Sequence, residues 1–129
     1  MKRFGAAVRT RKGGPGAGVL ALGRLKPGTM NKLEAAYAAH LEQQKAAGLI
    51  LWFKFEAIKL RLADNTFYTA DFFVLTRSAI LEVHEVKGRW EDDARVKIKV
   101  AAELYPFRFI AVYAKPKKAG GGWDAEVFE

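Results

Sequence analysis

The sequence predicts an α/β domain in which a mixed central β-sheet is flanked by helices, in the order α-β-β-β-β-α-β. Three observations carry that expectation. Residues 29–48 repeat their apolar positions with a helical period. Residues 50–86 contain short apolar or alternating runs broken by turn residues. A second helical segment then separates the apolar strands 80–86 and 107–114, the pattern of a crossover between parallel neighbours.

Thr29 suits a helix N-cap before "MNKLEAAYAAHLEQQKAAG", and Gly48 suits its end. Leu33, Tyr37 and Leu41 lie four apart and define its apolar face, with Ala36 beside them. Leu51, Phe53 and Phe55 alternate with Trp52 and Lys54. Ile58, Leu60 and Leu62 alternate with Lys59 and Arg61, and "ADN" supplies the turn that follows. "RSA" separates Phe72–Thr76 from Ile80–Val86, which predicts a hairpin. The second helix starts near Asp92 or Asp93 and stops before Pro106, with Val96, Val100 and Leu104 as its apolar stripe. "FRFIAVYA" is a buried strand, "KPKKAGGG" a flexible basic link, and "WDAEVF" a last edge strand.

The chain has 129 residues and half of them are hydrophobic, enough for one domain with a core of its own. The expected organisation is a basic flexible arm over 1–28, a core over 29–115, and a Gly/Lys link and edge strand over 116–129. No cysteine is present, which excludes disulfides, thiolate metal sites and cysteine nucleophiles. With two histidines and no cysteine, zinc is not expected. No apolar run reaches the length of a membrane span, and "MKRFGAAVRTRKGG" lacks the apolar core of a secretion signal. The net charge of +8 suits a polyanionic partner, nucleic acid first.

Three charges do not fit this apolar pattern. Asp71 heads the first strand of the 72–86 hairpin, and Glu85 and Lys87 end the second. Alternation puts Leu81, Val83, Glu85 and Lys87 on one face, so both charges share a side with core residues. A turn near Arg77–Ala79 brings Asp71 opposite Glu85. Charges in that position must be paired or bind metal. They form either a structural ion pair or a site in which two carboxylates take a divalent cation and a lysine serves a water or a phosphate oxygen. Glu34, on the flank of the first helix's apolar face, is a candidate third acid.

This ordered set resembles the PD-(D/E)XK nuclease superfamily, and more closely its small phage members of the endonuclease I and Holliday-junction-resolvase type. The matching pieces are "MNKLEAAY", "YTADFFV", "HEVKGRW" and "DARVKIKVAAELYP", spanning about residues 29–114. Ala70 stands where the superfamily name has proline. The resemblance implies a restriction-endonuclease-like core and a magnesium-dependent DNA endonuclease, with manganese able to substitute. Asp71 and Glu85 would be metal ligands and Glu34 an auxiliary acid and ligand. Lys87 would orient water or neutralise charge. It also implies branched or duplex DNA as partner, a homodimer, no membrane, and a phage or prophage protein in the bacterial cytoplasm.

DNA-backbone contacts are expected from Arg89, Arg95, Lys97 and Lys99 and from Arg9, Arg11 and Lys12 in the arm, and Trp90 is expected to stack on a base or wedge a junction. His84 reads as structural, His40 as a helix-surface residue, and Glu56 as an acid near the sheet end. The alternatives are another nuclease task such as end trimming or duplex cutting, a nuclease-like module that holds DNA without cutting, and an RNA-binding protein.

Overall fold

The apolar run from Phe72 to Val86 folds back on itself as two antiparallel strands, β4 (Phe72–Thr76) and β5 (Leu81–Val86), and the rest of the sheet grows from this hairpin. The computed structural model describes residues 28–88 and 92–129. In chain order the other elements are α1 (Lys32–Ala46), β1 (Ile50–Phe55), β2 (Lys59–Ala63), β3 (Thr66–Thr69), α2 (Asp92–Leu104), β6 (Arg108–Ala114) and β7 (Trp123–Phe128). The protein is α/β, with a mixed sheet of order β1-β4-β5-β6-β7 and a separate β2-β3 ribbon. The crossover through α2 makes β5 and β6 parallel, while every other neighbouring pair in the sheet is antiparallel. No helix among the described residues is long and apolar enough to cross a membrane.

Alternation along the strands gives the sheet two faces. On one, Tyr37 of α1 meets the rings of Phe72, His84 and Trp123. Helix α1 buries Tyr37 and Leu41, while Ala36 is exposed. It stops before Gly48, whose φ of 80° ends the helix in a conformation that glycine adopts without steric cost. On the other face, Phe73, Val83, Phe109 and Ala111 pack with Ile98 and Ala101 of α2 and with Leu60 and Tyr68 of the ribbon.

Three expectations need correction. Residues 66–69, which the expected order leaves without a strand, form β3 and pair with β2 in the separate ribbon. The chain breaks at Ala70–Asp71 so that the ribbon can leave the sheet and cover α2, where the Tyr105 hydroxyl donates to the Arg61 carbonyl at 2.7 Å. Five strands therefore precede α2.

The stripe of α2 is also different. Val96, Val100 and Leu104 face solvent, with Val96 58% exposed, whereas Ile98 and Ala101 are fully buried. Both stripes satisfy helical spacing, and the fold buries the one with Ile98 and Ala101 against the sheet and the ribbon.

Finally, "KPKKAGGG" is not a loose link. Residues 117–119 form a 3₁₀ turn, and Lys115 N–H donates to the Gly122 carbonyl at 2.9 Å.

Candidate active site

The β4–β5 turn fixes the register at the other end of the hairpin. Thr76 N–H donates to the Ile80 carbonyl at 2.9 Å, and Ala79 takes a φ of 65°. The pairing runs from Leu75↔Leu81 to Phe72↔His84. One step further, Asp71 arrives beside Glu85.

Asp71 is held by both ends of its residue. Its backbone carbonyl accepts Glu56 N–H at 2.8 Å. Its side-chain Oδ2 accepts Val86 N–H, also at 2.8 Å. Strand β5 runs past the end of β4, so the carboxylate stands in for a ladder carbonyl and satisfies a backbone donor.

Glu85 is buried, and both its oxygens are engaged. Tyr68 Oη donates to Oε1 at 2.7 Å, and Lys87 Nζ lies 3.2 Å from Oε2. Burial, and then the Glu85 charge, push the Tyr68 hydroxyl far above its usual pKa, so it stays a donor. Lys87 is itself placed by a backbone bond from its N–H to the Val112 carbonyl, 2.9 Å.

Asp71 feels the whole group. Burial and then the Glu85 charge push its carboxyl up to about 8. The Val86 N–H opposes this, Glu34 pushes it up further, and Lys87 pulls it down. Glu34 belongs to the first turn of α1, next to Leu33, whose side chain borders Gly88 in the strand-end motif. Thus Glu34, Asp71 and the Glu85–Lys87 pair, three separate pieces of the sequence, share one electrostatic environment at one end of the sheet.

Among the described residues this half-buried group holds the three carboxyl groups of Glu34, Asp71 and Glu85 and the ammonium of Lys87. Two neighbouring carboxylates offer hard oxygen donors and repel each other, as the raised Asp71 pKa reflects, and this fits a divalent cation such as magnesium, which uses few carboxylates and completes its shell with water and phosphate. Among the described residues no group of three or more His, Cys, Asp or Glu is close enough to hold an ion together. The fit therefore rests on Asp71 and Glu85, with Glu34 acting through its charge.

The expected DNA contacts fare differently. Arg95 is committed to β7: its Nη2 donates to Glu126 Oε2 at 2.7 Å, and its guanidinium lies 5.2 Å from the Phe128 ring centre. Lys97 and Lys99 are both exposed. Two residues apart on a helix, they point about 160° apart and cannot follow one backbone together. Arg9, Arg11, Lys12, Arg89 and Trp90 lie outside the described residues. Glu56 approaches the site through its backbone, and its side chain is exposed.

No protein-family model, curated protein or solved structure matches this chain.

Two groups escaped the sequence reading. Tyr68 lies three residues before Asp71, so an unbroken strand would put them on opposite faces; the break at Ala70 turns both toward Glu85. Its place in "YTAD" was the available signal. On the opposite face, Tyr37 Oη meets His84 Nδ1 at 2.7 Å, and His84 Nε2 meets Glu82 Oε1 at 2.9 Å. His84 is structural in this sense, and His40 is half-buried with its ring stacked on Tyr37.

Proposed function

We propose that this chain is a metal-dependent DNA endonuclease with a restriction-endonuclease-like core of the PD-(D/E)XK kind, acting on branched DNA. One observation carries the reading: Asp71 and Glu85 stand side by side at the end of the β4–β5 hairpin, with Lys87 3.2 Å from Glu85. The separate placement of Glu34, close enough to raise the Asp71 pKa, adds a fourth member at the same sheet end. The net charge of +8 suits a polyanionic substrate.

Asp71 and Glu85 would hold a magnesium ion, whose chemistry there is neutralisation of phosphate charge and acidification of a bound water. Glu85 is positioned for this by Tyr68. Lys87, released from Glu85, orients the attacking water or neutralises a phosphate oxygen. As a ligand Asp71 would act in its ionised form. Glu34 would add its charge beside Asp71. Branched DNA, pairing of two copies and a phage or prophage origin in the bacterial cytoplasm belong to the same proposal and rest on the sequence resemblance.

A second reading has its own observation. Both Glu85 oxygens are already partnered, as in a structural ion pair, which favours a DNA-holding module that does not cut.

Labelled four-way junction and plain duplex, offered with protein in excess in magnesium, manganese or chelator, separate these readings. Metal-dependent nicks near the crossover that vanish in Glu85→Ala and Lys87→Ala support the proposal. Equal cutting of duplex keeps the nuclease and removes the junction preference. Tight binding with no cut in either metal supports the second reading.

A further inference from the structure

The β6–β7 hairpin carries three lysines and no acid in its loop: Lys115, Lys117 and Lys118, within "KPKKAGGG". Topology decides where they sit. Because β6 runs parallel to β5, with Glu85↔Ala111 and Val86↔Val112 in register, the loop after β6 leaves the sheet at the same end as Glu85 and Lys87. Lys115 is four residues past the level of Glu85, a distance of about 13 Å at about 3.3 Å per residue. That is about four base-pair steps of duplex DNA at about 3.4 Å each.

The loop is built, not loose. Pro116 enters it with a φ of −62°. Its carbonyl accepts Ala119 N–H at 2.9 Å and Gly121 N–H at 3.1 Å, while Gly120 N–H donates to the Lys117 carbonyl at 3.0 Å. Gly120, Gly121 and Gly122 all take positive φ, which three consecutive side-chain-bearing residues would not tolerate. A Cβ built on any of the three meets nothing within 4 Å. The glycines thus serve the turn's shape and leave an open surface beside the lysines. Lys115 is offset by Asp124 at 4.0 Å. Among the described residues, no ion pair neutralises Lys117 or Lys118.

We infer that the Lys117–Lys118 turn is a phosphate-backbone contact for duplex DNA, holding the strand that runs past the Asp71–Glu85–Lys87 end of the sheet. The inference rests on the nuclease reading for its choice of DNA. Such a contact supplies affinity and register without sequence preference.

Fluorescence anisotropy of a labelled DNA duplex, measured in chelator from 50 to 200 mM salt, tests it. The proteins compared are wild type, Lys117→Ala/Lys118→Ala, and Arg77→Ala. Arg77 is an exposed cation in the β4–β5 turn, at the opposite end of the sheet. The double variant is expected to bind roughly ten-fold more weakly, with its log K against log salt slope shallower by about 1.8, as for two phosphates released. Arg77→Ala keeps wild-type affinity and slope. Unfolding temperature, unchanged in an exposed turn, separates lost contact from lost fold. An unchanged slope in the double variant, or an equal loss in Arg77→Ala, overturns the inference. So does equal wild-type affinity for a matched RNA duplex with an equal loss there. A double variant that loses DNA binding while wild type never cuts in magnesium or manganese sinks the nuclease reading and leaves the turn standing as a DNA contact.

Discussion

Tyr68 and Glu85 belong to different sheets, yet the Tyr68 hydroxyl donates to Glu85 Oε1 at 2.7 Å. This bond ties the β2–β3 ribbon to the end of the β4–β5 hairpin and holds the orientation of a buried carboxylate. Tyr68→Phe keeps the ring in the core and removes only the donor. It leaves a buried carboxylate oxygen unsatisfied, at a cost of about 1–3 kcal/mol. Denaturant unfolding should show that loss without a change in m-value. If Glu85 acts in cleavage, turnover should fall along with stability, because the carboxylate is no longer aimed.

The proton on Asp71 makes a pH prediction with a definite sign. Its folded pKa, about 8, lies above the ordinary value of 3.8. The folded state therefore binds this proton more tightly than the unfolded chain does. The stability it contributes is complete below pH 3.8 and is lost as pH rises through about 8. In chelator, wild type should lose stability relative to Asp71→Asn across that window, by at most about 1.4 kcal/mol per pH unit. Unfolding free energies of the two proteins at several pH values check this. Parallel curves would mean that Asp71 is already ionised at neutral pH.

If Asp71 is a ligand, a divalent cation must displace that proton. Magnesium should therefore raise the unfolding temperature of wild type more at pH 8.5 than at pH 6.5. Asp71→Asn should remove both the rise and its pH dependence. A magnesium effect of equal size in the variant would place any bound ion elsewhere.

Much of this site was legible because it depends on short-range rules. A short turn sets the hairpin register, so Asp71 and Glu85 had to meet, and strand alternation puts Glu85 and Lys87 on one side. The helix after β5 likewise made the β5–β6 pair parallel. What escaped depends on tertiary choice. Nothing local says that the chain leaves one sheet for another at Ala70, so Tyr68 was hidden. Helix α2 carries two apolar stripes at helical spacing, and only the closeness of the sheet selects the one with Ile98 and Ala101. The β6–β7 loop looked flexible from its glycines, whose positive φ values in fact close a hydrogen-bonded turn.

The Tyr37–His84–Glu82 chain anchors α1, the helix that carries Glu34. The Glu82 carboxylate accepts from His84 Nε2, so a neutral His84 presents Nδ1 as acceptor to the Tyr37 hydroxyl. Tyr37→Phe retains the ring contacts with Phe72 and Trp123 and strips this one hydrogen bond. The expected loss is about 1–3 kcal/mol, because Nδ1 is left buried without its donor. Hydrogen exchange should quicken across α1 more than across β5. Uniform loss of protection would mean that α1 does not depend on this anchor.

The two stripes of α2 predict opposite costs for similar changes. Ile98 is fully buried against the sheet and the ribbon. Ile98→Ala should cost about 2–5 kcal/mol, the range for deleting a buried branched side chain. Val96 and Leu104 are more than half exposed, at 58% and 53%. Val96→Lys and Leu104→Lys should each change stability by no more than about 0.5 kcal/mol. Urea unfolding of the three variants checks the helix rotation directly. Because Lys97 and Lys99 are carried on the same helix, the result also bears on which of them can face a bound nucleic acid. A large loss from Val96→Lys with a small one from Ile98→Ala would mean that the helix is rotated by half a turn, and Lys97 and Lys99 with it.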